Sequence, residues 1–411
     1  MVAMLFGEIA KRVVHWGRLS IIDAHGRRHE AGPSDGPQVT IRLHDRALHH
    51  RLALNPFLCL GEAYMDGTLT IEQGSLYELM DICTANSHHA EASLLGRALR
   101  TGQKLLRRLH QYNPVRRAQA NVAHHYDLSD RLYDLFLDRD RQYSCAYFTH
   151  PHHDLDLAQA DKKRHLIAKL LLEPGMRVLD IGSGWGGLAL SLAEAGAGEV
   201  LGITLSEEQL KVSRERARRQ GLADRVRFEL RDYREQTGTF DRIVSVGMFE
   251  HVGVRHYQEF FRAVRGLLAE NGVAVLHSIG RMDGPGTTNP WIRKYIFPGG
   301  YAPALSEVLP VVERLKIWVT DIEILRLHYA ETLRAWRQRF AAQRGQIAGL
   351  YDERFCRMWE FYLVGAELGF RRLGNMVFQM QLARRQDAVP LTRDYITEWE
   401  GGRSAAAVAA E

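Results

Sequence analysis

At 411 residues and 46.8 kDa the chain is too long for one compact core of ordinary size, so a single small module is excluded and two domains are expected. With 45% apolar and 25% charged residues it is neither a disordered chain nor an obvious solenoid. A formal net charge of +5 and a pI near 9.0 carry information only if the basic excess is concentrated somewhere.

From the N-terminus, short apolar runs alternate with turn residues. Residues 1–16 carry Glu8, Lys11, Arg12 and His15 where a signal peptide would have its apolar core. Residues 19–22 and 39–43 read as strands, with a hairpin around the Pro/Gly-rich segment 32–37, followed by helices over 52–66 and 75–82. Residues 1–85 are thus expected to form a small α+β domain. Residues 86–118 read as a basic helical linker. Arg97, Arg100, Lys104, Arg107, Arg108, Arg116 and Arg117 are uncompensated by any Asp or Glu between 97 and 117 and outnumber the whole net charge of +5. Leu94, Leu95, Ala98, Leu99, Leu105, Leu106 and Leu109 recur at helical spacing, so 93–109 reads as an amphipathic helix that Pro114 ends. Its cationic face suits either a solvated linker or contact with anionic lipid head groups, where each basic residue contributes about 1 kcal/mol. No nucleic-acid recognition motif accompanies the charge.

From about residue 173 the texture changes. Strands are predicted over 177–181, 200–204, 226–230, 240–246 and 272–279, alternating with helices over 188–194, 207–220 and 256–268. This is the pattern of an open, doubly wound α/β sheet, which binds ligands at the carboxyl ends of its strands. The tail from 305 reads as helix-rich, with long periodic stretches over 331–344 and 352–371, and 404–411 is expected to fray. No window of about 18 uninterrupted apolar residues marks a membrane span. The four cysteines, Cys59, Cys83, Cys145 and Cys356, form no C-x-x-C pair, which argues against a disulfide framework or a cysteine zinc site and for a reducing cytoplasm. The histidines at 49–50, 88–89, 124–125, 150, 152 and 153 fit no zinc spacing and read as solvated, so no metal is expected.

The most informative segment is 178–187, Val-Leu-Asp-Ile-Gly-Ser-Gly-Trp-Gly-Gly. Gly182, Gly184 and Gly187 satisfy G-x-G-x-x-G between a strand and a helix, which permits a tight turn and close approach of a ligand to the backbone. A dinucleotide site would want an acidic residue ending the second strand, but that strand ends Thr204-Leu205-Ser206. Asp180, immediately before the loop, would repel a pyrophosphate and suits the ammonium of a methionine moiety, unless it merely caps its own loop. That favours S-adenosylmethionine. Asp232 offers an acceptor for the adenine amino group and Tyr233 an aromatic face, while Glu250 and His251 place a carboxylate and an imidazole at the mouth of the same cleft.

At these residues the sequence resembles the cyclopropane-fatty-acyl-phospholipid synthases and their relatives, the mycolic acid cyclopropane synthases and methyltransferases. The matching segments are 125–128 (His-Tyr-Asp-Leu), 141–148 (Arg-Gln-Tyr-Ser-Cys-Ala-Tyr-Phe), the glycine loop, 202–209, 248–253, 276–280 and 298–301. Residues 60–67 are also similar to the phospholipid-acting branch, which carries an extra N-terminal domain. The resemblance implies an S-adenosylmethionine-dependent methyltransferase domain over 119–403 and a lipid-interacting domain over 1–85. It implies that the π electrons of a cis double bond in a bilayer phospholipid attack the sulfonium methyl, and that a base then removes a proton so that a cyclopropane ring closes. That base is implied to be bicarbonate, held by Cys145, Glu250, His277, Ile279 through its backbone, and Tyr329. The cofactor would be bound by Tyr143, Ser144, Asp180, Gly182, Gly184, Thr204, Leu205, Gln209, Asp232 and Tyr233. Tyr143, Tyr147, Phe148, Tyr301 and Tyr329 are candidates for sheltering a carbocation.

A peripheral position on the cytoplasmic face of the membrane and a homodimer are further implications of the resemblance. Some relatives carry a cysteine near 365–367 in the long C-terminal helix; this chain does not. Residues 282–291, rich in Gly and Pro, are either a mobile flap or a plain loop. Three other outcomes stay open: methylation to a branched chain, a lipid-binding protein without activity, and a dinucleotide oxidoreductase.

Overall fold

The computed structural model describes residues 5–92 and 130–408. The basic segment 97–117 and the 125–128 motif lie outside the described residues. Two compact units form, and neither is contiguous in sequence. One comprises, among the described residues, 5–92, 287–298 and 333–374; the other comprises 130–286, 299–332 and 375–408. The expected division at 85 and 119 therefore differs from the structural one. The helices at Pro290–Tyr295 and Glu353–Arg372 pack in the first unit, against the helices Pro56–Met65 and Leu76–Ala85. Trp291 shows why: its indole N–H reaches the Met65 sulfur at 3.2 Å and a Cβ at Gly61 would lie only 2.4 Å from the indole nitrogen.

In the first unit, β1 (Arg18–Ile22), β2 (Arg28–Ala31), β3 (Gln38–Leu43) and β4 (Leu69–Gln73) form a sheet in the order β2-β1-β3-β4. The hairpin joins β1 to β2 at 23–27, while β3 runs parallel to β1, so the expected hairpin around 32–37 is not formed. That segment is a crossover, because the Asp23 carboxylate accepts from the backbone N–H groups of His25 and Arg27 and makes the tight turn earlier. The predicted helix over 52–66 is two helices, Leu48–Leu54 and Pro56–Met65. Asn55 leaves helical geometry (φ −144°, ψ 68°) before a proline that can begin a helix but cannot continue one.

The second unit is built on a seven-stranded sheet. Its strands are β5 (Arg177–Ile181), β6 (Glu199–Thr204), β7 (Val226–Leu230), β8 (Phe240–Val246), β9 (Leu268–Arg281), β10 (Trp318–Ile324) and β11 (Asn375–Ala383). They lie in the order β10-β11-β9-β8-β5-β6-β7. β5 through β9 are parallel; β11 is antiparallel to β9 and β10. Successive residues point to opposite faces, so Val178, Val200 and Val244 pack under Leu188, Leu192 and Ala217, while Leu179, Ile181 and Ile243 pack on Phe260, Val264 and Val308. The doubly wound α/β sheet and the smaller N-terminal α+β assembly are thus as expected. The order reverses between β5 and β8, which leaves a crevice at their carboxyl ends.

β10 and β11 were not foreseen in a tail read as helical. β11 is buried on both faces, with Gln379 and Gln381 among apolar neighbours, so it shows no alternation. The C-terminal helix spans Asp394–Val408, with Ile396 buried and Glu400 bonded to His165. No helix among the described residues is long and apolar enough to cross a membrane.

Gly202 on β6 couples the sheet to the loop above it. A Cβ there would fall 2.6 Å from the Phe228 ring and 2.9 Å from Ser183 Cβ. Gly202→Ala is expected to lower stability by about 1–3 kcal/mol through overpacking and to weaken cofactor binding with it, as read by thermal denaturation and calorimetry on the same preparation.

Candidate active site

β5 delivers Asp180 to the sheet edge and the chain then turns through Gly182 (φ +83°), Gly184 (φ +53°) and Gly186 (φ +85°) into the helix Gly187–Glu194. Residues with side chains rarely adopt these angles. A Cβ on Gly182 would meet Met248 at 2.8 Å, whereas nothing lies within 4 Å of one on Gly184. The N–H groups of Gly182 and Ser183 are taken by Ile203 O at 2.9 and 3.0 Å, which locks the loop to β6.

A cleft of about 1160 Å³, open to solvent, lies over this turn. All ten residues expected to bind the cofactor line it: Tyr143, Ser144, Asp180, Gly182, Gly184, Thr204, Leu205, Gln209, Asp232 and Tyr233. Asp180 is almost wholly buried, and burial pushes its carboxyl up to about 7 while the Lys162 charge pulls the other way. Its Oδ2 has no hydrogen-bond partner among the described residues, so it does not cap its own loop through that atom. A buried acceptor without a donor is what an incoming ammonium would complete. Thr204 donates to Gln209 Oε1 at 2.9 Å, fixing the amide at the end of β6. Asp232 is held by Arg234 at 2.8 Å (Nε) and 2.6 Å (Nη2), and Arg234 also covers the Tyr233 ring, whose edge meets Phe260.

The second predicted set lies outside the lining of that cleft. Glu250 was expected to share its mouth with His251, but only His251 lines it; burial pushes that imidazole down to about 4, so it is neutral at pH 7. Glu250 turns instead toward β9, where its Oε1 accepts from Ile279 N at 2.7 Å. Its Oε2 is buried without a partner among the described residues, and burial pushes the carboxyl up to about 7. Ile279's N–H is thereby spent on Glu250, so its part is to orient that carboxyl. His277, two residues earlier on the same face of β9, is buried against Gln379 Nε2 at 3.2 Å, and burial holds its pKa well below the ordinary histidine value. Cys145 is a buried thiol whose S–H donates to Ala146 O at 3.2 Å and whose pKa burial raises, so it is a weak donor and not a nucleophile. Its neighbour Ala146 donates its N–H to Thr332 Oγ1 at 3.0 Å, tying Cys145 to the helix that begins His328-Tyr329.

Among the aromatic candidates, Tyr143 lines the cofactor cleft. Tyr147 is instead stacked between His165 (4.2 Å) and His328 (4.9 Å). The Tyr301 hydroxyl donates to Glu307 Oε2 at 2.6 Å and its N–H holds Glu250 O at 2.9 Å. Trp291, at the far end of the 282–291 segment, is buried. His49, expected to be solvated, is buried in the first unit.

Sequence reasoning missed Lys162, a fully buried cation whose Nζ donates to Ser144 Oγ at 2.8 Å. The signal was there: Leu155, Ala158, Lys162 and Leu166 share one helical face, and a lysine on an apolar stripe is out of place. With the Asp180 carboxyl near 7, cofactor affinity should rise as pH increases through about 7 and level off above, because only the ionised form pairs with an ammonium. In calorimetric titrations with S-adenosylhomocysteine, Asp180→Asn is expected to weaken binding about 10- to 100-fold and to flatten that pH dependence.

The family model of mycolic acid cyclopropane synthetase matches residues 114–380, and a model of a domain of unknown function matches 20–93. The chain is 40% identical over 363 residues to a probable fatty acid methyltransferase of Pseudomonas putida, covering 86% of this chain and 88% of that one. It is 37% identical over 348 residues to the cyclopropane-fatty-acyl-phospholipid synthase of Escherichia coli K12, covering 84% and 87%. Among solved structures, mycolic acid cyclopropane synthase CmaA1 complexed with SAH and CTAB superposes with a TM-score of 0.61 at 34% identity, over 66% of this chain and 99% of that one. The cofactor cleft and these similarities coincide on the same stretch of sequence, and the chain belongs to the mycolic acid cyclopropane synthetase family, as an S-adenosylmethionine-dependent transferase.

Proposed function

We propose that the chain transfers a methylene group from S-adenosylmethionine to the cis double bond of unsaturated phospholipid acyl chains, forming a cyclopropane ring with bound bicarbonate as base. The carrying observation is the Glu250 carboxyl: buried, with one oxygen on Ile279 and the other without a partner among the described residues, one residue before His251 in the cofactor cleft. A group that takes a proton from the transferred methyl has to sit beside the methyl end of that cleft.

S-adenosylmethionine supplies an electrophilic methyl; the alkene's π pair forms the new carbon–carbon bond as the sulfonium bond breaks, leaving S-adenosylhomocysteine and a carbocation on the chain. Loss of a proton from the new methyl then closes the ring. Bicarbonate fits the chemistry of the donors present: the Cys145 thiol stays protonated, Tyr329 brings a phenol, and Glu250 with its carboxyl near 7 can present a proton to an anion. His277 is held neutral and can accept or donate. In this reading Cys145, Glu250, His277, Ile279 and Tyr329 form the base site.

The acyl chain is drawn from a bilayer at which the enzyme is peripheral, on the cytoplasmic side. The basic residues between 97 and 117 supply the attraction to anionic head groups, residues 1–85 contribute to lipid contact, and two copies associate as a homodimer. The similarity to a probable fatty acid methyltransferase favours a second reading, in which the cation is quenched without ring closure and leaves a methyl-branched chain.

Incubation with liposomes of cis-unsaturated phospholipid and labelled cofactor separates the two. Ring closure adds CH2 with loss of the olefinic proton resonances and appearance of cyclopropane signals; an olefin retained, or a methyl doublet in place of ring signals, rejects it. Glu250→Gln is expected to lower turnover about 100-fold while S-adenosylhomocysteine affinity stays within about twofold. A large loss of affinity would refute this division of roles.

A further inference from the structure

The helix Leu155–Lys169 turns a lysine into the protein interior. Lys162 is 0% exposed, and its Nζ donates to Gln142 Oε1 at 2.5 Å and to Ser144 Oγ at 2.8 Å. The same loop is braced by Asp138, whose carboxylate accepts from Asp140 N at 3.0 Å and Gln142 N at 2.8 Å. Gln159 braces it from the helix, its Nε2 donating to Ser144 O at 2.9 Å. The loop's backbone is therefore held without Lys162, and the lysine acts on side chains.

An ammonium group has donors only, so Ser144 Oγ is an acceptor toward Lys162 and its own proton is directed elsewhere. Ser144 lines the cofactor cleft, as does Asp180 at the end of β5. The charged and titratable groups that act on Lys162 are Asp138, Asp140 and Cys145 from the loop and Lys163 from its own helix; Lys162 in turn acts on Asp180 from β5 and on His277 from β9. It is the one charge resolved as acting on Asp180 among the described residues. Burial pushes Lys162 down to about 8, with Asp138 opposing the shift, so the ammonium predominates at neutral pH.

We propose that Lys162 is a positioning residue for the amino-acid end of the cofactor: bonded to Ser144 in the wall of the cleft that Asp180 also lines, it makes Ser144 a hydrogen-bond donor to the methionine carboxylate and supplies positive potential that favours the ionised form of Asp180 for the methionine ammonium. One buried charge thus sets both polarities that a zwitterionic α-amino acid requires. The inference rests on reading the cleft as an S-adenosylmethionine site.

The test is calorimetric titration of the full chain with S-adenosylhomocysteine, which carries the same amino-acid end without the sulfonium charge, from pH 5.5 to 8.5. Lys162→Met removes the charge at similar volume; it is expected to weaken binding at pH 7 about tenfold or more and to move the midpoint of the affinity–pH curve upward by about one unit. Ser144→Ala should weaken binding with the midpoint unmoved. Lys162→Gln, which can still donate to Ser144 but is neutral, should show the midpoint shift with a smaller loss of affinity. A Lys162→Met or Lys162→Gln protein that binds with wild-type affinity and midpoint overturns the proposal. So does a chain that unfolds on both substitutions, since that assigns Lys162 to the core. If the wild-type protein binds no S-adenosylhomocysteine at any pH, the reading of the cleft fails instead.

Discussion

Ionisable groups buried where the strand order of a parallel sheet reverses are the constraint on which the rest of this structure depends. Asp180 leaves β5 at that point with almost no exposure, and a carboxylate there is costly unless something compensates it. Compensation comes from two sides: the Lys162 charge behind the loop, and the space in front of it where a cationic ligand group can sit. The glycines at 182, 184 and 186 are required by the same turn, because the backbone passes through positive φ at each, and a Cβ would strike Met248 at 182 and Phe228 at 186.

The loop from Arg141 to Ala146 then divides labour between two neighbouring places. Tyr143 and Ser144 face the cofactor cleft, while Cys145 and Ala146 are tied to the helix that begins at His328. β9 and the residues after β8 repeat the arrangement: His251 lines the cleft, and Glu250, one position earlier, turns to Ile279. Adjacent residues pointing to opposite sides of short, tightly bonded segments are what allow one sheet edge to serve both a cofactor and the proposed base. Neither place depends on a thiolate, since burial keeps the Cys145 thiol protonated.

Much of this was legible from the chain alone where local pattern and tertiary role agree. β5, β7 and β8 were predicted with their observed bounds, because each is a short run of strand-forming residues, alternating with charge in β7, bounded by turn residues. Of the ten cofactor residues implied by the resemblance, Asp180, Gly182, Gly184, Thr204, Leu205, Gln209, Asp232 and Tyr233 lie at or just after the carboxyl ends of β5, β6 and β7, and Tyr143 and Ser144 reach the same cleft from the loop before the helix Leu155–Lys169. Where pattern and role part, reading failed. β11 carries two buried glutamines, Gln381 bonding Lys169 O and the Tyr395 hydroxyl, and a strand satisfied in that way looks irregular in one dimension. The 32–37 segment has turn composition, yet the hairpin forms at Asp23, whose carboxylate collects the local N–H donors first.

The sequence by itself determined the doubly wound sheet and the glycine turn, which follow from periodicity and glycine placement, while its resemblance to a known family supplied the family and the roster of cleft residues. Only the tertiary structure decided which way neighbouring side chains face, that Glu250 leaves the cofactor cleft, that Ile279 spends its N–H on that carboxyl, and that Lys162 lies buried behind Ser144. It also decided that segments 287–298 and 333–374 belong to the same compact unit as the N-terminal residues. The physical reason is common to all of these. Burial, and with it the charge state of a carboxyl or an ammonium, is set by what distant segments bring against a residue, and one-dimensional spacing carries no record of that.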